Sequence, residues 1–292
     1  MANAQNIVKQ NVNGAFFVDQ TCISCSNCRD LAPQNFHDAG EYFAVFNQPE
    51  SPAQTAQSLD ALVCCPVGAI GIKNENKSQF DLKKAIESVP KEIASSHGKV
   101  FYLGFNSPDS YGGKAYFIKS DDGNWMIESP KFTRHLVDWI ESQGGLNYIF
   151  LSHRDDVAQA SDYAKEFGAK RIIHREDLDA EPDSEIIIEG IEEVEFGSEI
   201  IIIPQPGHTK GHCMLLFDEH FLFTGDVLTA DKEGKLAQGK YCWYSWKVQQ
   251  ESLQRLSAYK FSTTLPSHGK SVVANHGEMT AQLKEIAFAP HK

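Results

Sequence analysis

The sequence is short of basic residues. Its 292 residues include 27 lysines and arginines against 39 aspartates and glutamates, which gives a formal net charge of −12. Nucleic acids and anionic membrane surfaces attract basic proteins, so we expect this chain to bind neither. The same charge would favour docking to a basic partner, and we expect such a partner to be a redox protein.

Long apolar runs are also missing from the sequence. The longest aliphatic run, Ile200 to Ile203, has the length of a strand and falls far short of the ~20 residues that a transmembrane helix needs. The first residues, MANAQNIVKQ, lack the basic start and apolar stretch of a secretory signal peptide. We therefore expect a cytoplasmic protein, in which cysteines are more often metal ligands or reduced thiols than disulfides.

Cysteine, by contrast, is concentrated at one end, with five of seven in the first 65 residues. Cys22, Cys25 and Cys28 form a C-x-x-C-x-x-C run, and Cys65 precedes a proline in VCCPVG. Such a run suits an iron–sulfur cluster with one thiolate per iron. A four-cysteine zinc site is the alternative, although zinc sites usually take two separated C-x-x-C pairs. Cys64 is interpreted as a small buried side chain.

These residues resemble the single-cluster bacterial-type ferredoxins. CISCSNCRDLAPQNF is similar to their cluster loop, and CCPVGAI is similar to the returning ligand and the strand after it. The resemblance covers roughly residues 14 to 75. It implies an α+β ferredoxin-like domain with one [4Fe-4S] cluster on Cys22, Cys25, Cys28 and Cys65.

The composition changes after this segment. Residues 74–78 are polar and predict a linker, so we expect one domain at residues 1–75 and another at residues 76–292. Residues 81–96 predict a helix. From Lys99 onward, strand patterns alternate with helix patterns, which indicates a layered α/β domain.

Six potential metal ligands follow predicted strands of this second domain. Strand ends are where α/β folds gather their active sites, and histidine with aspartate suits zinc, iron or manganese. They are His153, Asp155 and Asp156 in SHRDD, His208 in PGHTKGH, Asp226 in FTGD, and His268 in PSHG.

The same motifs resemble the metallo-β-lactamase superfamily, closest to its glyoxalase II-like branch, over roughly residues 99 to 290. The resemblance implies an αββα sandwich. It also implies that His208 binds a metal, that Asp226 bridges two metals, and that His268 binds the second metal.

The chain departs from that family in its first motif, which is His-x-His-x-Asp-His in the family and HRDDVA here. An ungapped match puts Asp155 in place of the second histidine, whereas a shortened loop would put Asp156 in place of the missing aspartate. With ligands lost, we expect one further metal ion, of iron, zinc or manganese. An aspartate in place of a histidine favours the harder iron or manganese.

Two classes of function are open at this point. One is a metal-dependent hydrolase or redox enzyme fed with electrons by its own ferredoxin domain. The other is a non-catalytic electron carrier or redox sensor in which the metallohydrolase domain has decayed to a scaffold. No residue indicates a particular small-molecule substrate.

Overall fold

The structure is a computed structural model that describes residues 2–289. The chain divides after Gly113 into two compact units, residues 1–113 and residues 114–292. None of the helices within residues 2–289 is both long enough and apolar enough to cross a membrane.

The first unit is made of short strands and three helices. Its longest helix begins after Ser51, whose side chain accepts a hydrogen bond from the amide of Gln54, and Pro52 takes the first helical position, where no amide donor is needed. The elements are β1 (Phe16–Val18), α1 (Asn27–Leu31), β2 (Phe36–Asp38), β3 (Phe43–Val45), α2 (Pro52–Cys64), β4 (Ile70–Ile72), α3 (Leu82–Glu87), β5 (Lys91–Glu92) and β6 (Val100–Tyr102).

The first four of these strands pair locally around one small apolar core. β1 pairs antiparallel with β4, β2 with β3, and β5 with β6. Phe16, Phe36 and Phe43 are buried together in the core, and Cys28 packs in the same cluster. Burial of these large rings stabilises a unit that has few residues to form a core.

The compact units divide later in the chain than the predicted boundary at residues 75/76. The reason is that residues 80–113 belong to the same compact unit as the cysteine-rich segment. The ring of Phe80, for example, lies 5.0 Å from that of Phe16, edge to face. The helix predicted over residues 81–96 is also shorter, because Pro90 cannot continue a helix and residues 91–92 form β5. Whether residues 1–75 and 76–292 fold as separate domains stays a prediction.

The second unit contains the remaining strands and four helices. They are β7 (Tyr116–Ile118), β8 (Trp125–Ile127), α4 (Arg134–Ser142), β9 (Tyr148–Phe150), α5 (Ala160–Phe167), β10 (Lys170–His174), β11 (Ile186–Ile188), β12 (Val194–Phe196), β13 (Ile200–Pro204), β14 (Cys213–Phe217), β15 (Phe221–Gly225), β16 (Leu228–Ala230), β17 (Leu236–Gln238), α6 (Trp246–Leu256), β18 (Thr263–Pro266) and α7 (His276–Ala287).

Two sheets face each other in this unit. In one, the strands of the second unit run in the order β11-β10-β9-β8-β7, with parallel pairs from β8 to β11. In the other, the order is β12-β13-β14-β15-β18, antiparallel except for the parallel pair of β15 and β18. Rings from the two sheets meet between them, as those of Tyr116 and Phe223 do at 5.4 Å.

Helices cover the outer faces of both sheets. Trp139 of α4 packs edge to face on Phe117 of β7 at 5.2 Å, and α6 and α7 bring Leu253 and Leu283 into one apolar cluster with Leu222 of β15. The predicted αββα sandwich is confirmed. Its strand ends are where the candidate ligands come together.

Candidate metal centres

The four predicted cluster cysteines line a single cavity in the first unit. Cys22 and Cys25 lie in the loop before α1, Cys28 lies within α1, and Cys65 directly follows α2. The loop turns sharply at Ser24 and Ser26, whose φ angles are +57° and +68°. This geometry aims three thiols from one loop, and a fourth from a distant helix end, into the same space.

Nitrogen donors surround the sulfur atoms of this cavity. The amide of Ser24 donates to Cys22 Sγ at 3.4 Å, and the amide of Ala69 donates to Cys65 Sγ at 3.3 Å. Burial raises the pKa of the Cys28 thiol, and the neighbouring cysteines raise it further. Thiolates crowded in this way need a cationic group between them, and donors aimed at sulfur fit an iron–sulfur cluster.

Cys64 is buried, as the sequence predicts. It is the last residue of α2, and it points away from the cavity that Cys65 lines. Burial raises the pKa of its thiol to about 11, so it stays protonated at neutral pH.

In the second unit, the structure brings all six predicted ligands together at strand ends. His153 follows β9, His208 lies between β13 and β14, Asp226 follows β15, and His268 follows β18. Gly225 fits the turn before Asp226 because its φ is +49° and a Cβ there would lie 2.4 Å from His212 Nε2.

The first metal position is formed by two histidines and two aspartates. The Nε2 atoms of His153 and His208 each lie 3.8 Å from Asp155 Oδ2. They lie 3.9 Å and 3.7 Å, respectively, from Asp226 Oδ2. These separations suit donors arranged around one ion at metal–ligand distances of about 2 Å.

The second metal position uses the other oxygen of the same aspartate. His268 Nε2 lies 4.0 Å from Asp226 Oδ1 and 4.0 Å from Asp156 Oδ1. The expectation of one further metal assumed only two donors here. Asp156 supplies a third, because the short 3₁₀ turn at Arg154–Asp156 points its carboxylate into the site.

Hydrogen bonds fix the orientation of the histidine rings. His208 Nδ1 lies 2.9 Å from the carbonyl oxygen of Tyr241, an acceptor only, so Nδ1 carries the proton and Nε2 presents a lone pair to the site. Ser152 Oγ lies 2.8 Å from His153 Nδ1 and fixes the orientation of that ring, but a hydroxyl can donate or accept and therefore selects neither tautomer.

Several polar atoms at the two positions are buried without a hydrogen-bond partner among residues 2–289. Such atoms are costly to bury unless something else satisfies them. A cation at each position would do so, and the residues present therefore fit metal ions. The atoms are His153 Nε2, His208 Nε2, Asp156 Oδ2 and Asp226 Oδ1.

The charges of the site point the same way. Burial, together with the charge of the nearby Asp226, raises the pKa of Asp156 to about 7. The pKa of Asp226 is itself raised to about 6, chiefly by burial. Burial lowers the pKa of His153 well below its usual value. Buried aspartates that resist ionisation beside a neutral His153 need a cation next to them in order to ionise. At Asp155 the direction is reversed: its hydrogen bond with His208 lowers the pKa of Asp155 and, against the effect of burial, raises the pKa of His208.

Sequence reasoning missed Glu128, which follows β8 at the back of the site. Its Oε2 accepts a hydrogen bond from the amide of Ser152 at 3.2 Å, and its Oε1 accepts one from Ser267 Oγ at 3.4 Å. Those serines directly precede His153 and His268, so one carboxylate supports two ligand turns. The signal was available, since Glu128 is also an acid at a strand end.

Asp177 was missed as well, and it lies in an acidic stretch that offered no distinguishing signal. It is buried and accepts hydrogen bonds from Thr209 Oγ1 at 2.5 Å, from the amide of Arg154 at 3.3 Å and from the amide of Gly211 at 3.3 Å. It therefore ties the turn that carries His208 to the turn that carries His153.

Aromatic side chains stand beside the first metal position. The rings of Tyr241 and Trp243 are stacked with 3° between their planes, and the Trp243 ring centroid lies 6.4 Å from that of His208. Trp243 is 69% exposed, while Asp155 is the most exposed ligand with 48% of its side chain accessible. Solvent and small molecules thus reach the site on this side.

Comparison with known proteins separates the two units. Residues 18–72 match the model of the 4Fe-4S single cluster domain of ferredoxin I. The hydroxyacylglutathione hydrolase of Acidiphilium cryptum is 28% identical over 132 residues, which are 44% of this chain and 51% of that protein. The Pelagibacter ubique enzyme of the same name is 30% identical over 122 residues, 39% and 50% of the two chains. The chain thus spans half the length of these curated relatives.

Solved structures show the fold of the second unit. The structure of a peroxy diiron species of the chemotaxis sensor ODP has a TM-score of 0.51 at 15% identity, covering 68% of this chain and 95% of that one. The structure of VMB-1 has a TM-score of 0.51 at 16% identity, covering 68% of this chain and 96% of that one. The protein therefore carries a single-cluster 4Fe-4S ferredoxin domain at residues 18–72, followed by a domain of the metallo-β-lactamase fold.

Proposed function

We propose that this protein is a redox enzyme whose second unit holds two iron ions and whose 4Fe-4S domain supplies the electrons. The observation that carries the proposal is the carboxylate of Asp226. One of its oxygens faces His153 and His208, and the other faces His268 and Asp156. A carboxylate placed in this way can bridge two metals.

The donor set favours iron over zinc. Three carboxylates and three histidines surround the two positions, and carboxylate-rich sets prefer harder ions. Bound there, two metal ions would polarise a small substrate and, as iron, exchange electrons with it. A 4Fe-4S domain in the same chain gives such a centre a source of single electrons.

The side chains of the site hold rather than react. Neutral His208 presents an unprotonated Nε2 atom because its Nδ1 donates to the carbonyl oxygen of Tyr241, and Ser152 holds the His153 ring at its Nδ1. Glu128 keeps the turns before His153 and His268 in place. The stacked rings of Tyr241 and Trp243 would offer an aromatic surface to a substrate that enters from the solvent-accessible side.

Metal analysis of the anaerobically purified protein tests the proposal. We expect about four cluster irons and four acid-labile sulfides per chain, together with two further irons that carry no sulfide. The reduced protein should then be oxidised by dioxygen or peroxide, with the cluster and the further irons reoxidised together. Zinc in place of the two further irons, or a reduced cluster that transfers no electrons to them, contradicts the proposal.

A second candidate is a thioester hydrolase, which the likeness to hydroxyacylglutathione hydrolases favours. Hydrolysis needs a metal-activated water but no electrons. It should therefore persist in a Cys65→Ser variant, whereas the redox reaction should not. A protein that reduces no oxidant and cleaves no glutathione thioester would instead be the electron carrier or sensor. For either function, the cytoplasmic location of this protein and its docking to a basic redox partner stay predictions.

A further inference from the structure

The side chain of Asn27 lies between a cluster ligand and a distant turn of the chain. Its Nδ2 is 2.6 Å from the carbonyl oxygen of Gly112 and 3.6 Å from Cys25 Sγ. Asn27 is only 2% exposed, so water does not compete for these contacts. A primary amide carries two N–H groups, and one can serve each acceptor.

Gly112 comes from a segment outside the matched ferredoxin domain. We call residues 107–113 the Tyr111 turn; it begins with the 3₁₀ segment Pro108–Ser110, and Tyr111 and Gly112 follow with φ angles of +50° and +84°. The hydroxyl of Tyr111 donates to the carbonyl oxygen of Ile23, in the cluster loop. A Cβ on Gly112 would lie 2.9 Å from Asn27 Nδ2 and 3.1 Å from Cys25 Sγ. Only glycine allows this close approach.

A buried chain of hydrogen bonds holds the Tyr111 turn. Asn106 Nδ2 donates to the same Gly112 carbonyl at 3.0 Å, and the hydroxyl of Tyr102 donates to Asn106 Oδ1 at 2.8 Å. Tyr102 in turn is hydrogen-bonded with Cys64. The orientation of the Gly112 carbonyl, and through it that of the Asn27 amide, is therefore fixed from behind.

We propose that Asn27 is a positioning residue that donates an N–H to the Cys25 thiolate and so raises the reduction potential of the cluster. The inference rests on the 4Fe-4S cluster of the proposed function. A reduced cluster carries one more negative charge than the oxidised cluster. A donor aimed at its sulfur therefore stabilises the reduced form more. Because the Tyr111 turn fixes this donor, it tunes the cluster from outside the ferredoxin module.

The test is the midpoint potential of the cluster in the full-length protein. Asn27→Leu removes the donor at similar size, and its potential should fall below that of the wild type. Asn35→Leu is the matched control, because Asn35 is equally buried and donates to the carbonyl oxygen of Asn47, outside the cluster cavity. Its potential should stay at the wild-type value. Tyr111→Phe leaves Asn27 in place and should speed cluster loss to a chelator more than it shifts the potential.

Iron and sulfide content is measured first, so that failure of the cluster itself is seen separately. A wild-type protein without four sulfides overturns both the cluster and this inference. An Asn27→Leu protein with a full cluster and the wild-type potential overturns the inference alone. If the Asn27→Leu variant loses its cluster, a spectroscopic comparison of the reduced wild-type protein with Asn27→Asp tests the inference instead. Electron–nuclear double resonance of the reduced wild-type protein should detect an exchangeable proton coupled to the cluster, and this signal should be absent from the Asn27→Asp protein. The same coupling in both proteins would refute the role of Asn27.

Discussion

The carboxylates of Asp155 and Asp156 are neighbours in the chain but face different metal positions. Asp155 lies 3.8 Å from His208 Nε2 in the first position, while Asp156 lies 4.0 Å from His268 Nε2 in the second. The 3₁₀ turn over Arg154–Asp156 separates the two side chains. Each position thereby obtains one aspartate of its own in addition to the shared Asp226.

Substitution of Asp156 should therefore remove one specific metal. In Asp156→Asn the second position keeps only His268 and one oxygen of Asp226 as strong donors, and two protein donors bind a metal weakly. We expect the metal content outside the cluster to fall by about one ion per chain while acid-labile sulfide stays constant. Anaerobic metal and sulfide analysis measures both quantities.

The matched variant is Asp155→Asn, in which the first position still keeps His153, His208 and Asp226. The Asp155→Asn protein should retain more metal than Asp156→Asn. It should release that metal to a chelator faster than the wild type does. Equal metal content in Asp156→Asn and wild type would show that Asp156 is not a ligand.

Replacing Asp177 should lower stability and metal affinity more than replacing the nearby Asp179 does, although both aspartates interact with Arg154. Asp177→Asn keeps the shape but turns one acceptor oxygen into a donor, which leaves a buried amide or hydroxyl unsatisfied. We expect the free energy of unfolding to fall by about 1–3 kcal/mol. Metal affinity should fall roughly 10- to 100-fold, the usual range for groups that orient ligands.

Asp179 pairs with Arg154 at the surface, through a bond of 2.7 Å between exposed side chains. Exposed pairs contribute about 0–1 kcal/mol, so Asp179→Asn should stay close to wild type in stability and metal content. All four tryptophans lie in the second unit, and their fluorescence in urea follows its unfolding. Equal losses in the two variants would mean that the buried hydrogen bonds of Asp177 contribute no more than the surface ion pair of Asp179.

The two adjacent cysteines should behave differently when replaced by serine. Cys65→Ser removes a thiolate that lines the cluster cavity, so most iron and sulfide should be lost. Cys64→Ser replaces a buried protonated thiol at the end of α2, and about four irons and four sulfides should remain. Visible absorption and sulfide analysis of anaerobic samples distinguish the two. Loss of the cluster from both variants would place Cys64 among the ligands.

Spacing made the cluster cysteines and the strand-end ligands predictable. The spacing of Cys22, Cys25 and Cys28 directly indicates a cluster-binding loop. His208 lies in the motif PGHTKGH, whose glycines and proline indicate a turn. The choice between Asp155 and Asp156 was not predictable, because it depends on the backbone path of one short turn. The answer is that both aspartates face the site.

Long-range contacts were the part that the sequence could not reveal. Glu128 and Asp177 support ligand turns that are 24 and 32 residues away, through Ser152 and Thr209. The Tyr111 turn reaches Asn27 across 85 residues. No local pattern encodes such pairs, since each partner is an ordinary polar residue until the fold brings the two together.

The metal-free second unit should lose stability as pH rises from about 6.5 to about 8. Burial raises the pKa of Asp156 to about 7 and that of Asp226 to about 6, and it raises the pKa of Glu128 as well. An unfolded aspartate titrates near about 3.9. The folded state thus binds more protons than the unfolded state, and its stability falls as pH rises through the folded pKa values.

Two of the buried histidines act in the opposite direction but at lower pH, whereas the pKa of His208 is raised by Asp155 against the effect of burial, and His208 therefore acts in the same direction as the carboxylates. The pKa values of His153 and His212 are lowered by burial, so their protonation in the unfolded state favours unfolding below about 6.5. Above that pH their effect levels off as the unfolded histidines lose their protons, and the carboxylates dominate. Urea unfolding of the chelator-treated protein, followed by tryptophan fluorescence, should give a lower free energy at pH about 8 than at about 6.5. Asp156→Asn should flatten this dependence, and added metal should reverse it because metal binds the deprotonated site. The prediction is contradicted if the metal-free protein is more stable at pH about 8 than at about 6.5. That result would mean that the aspartates are already ionised in the folded protein, because a cation other than the added metal lies beside them.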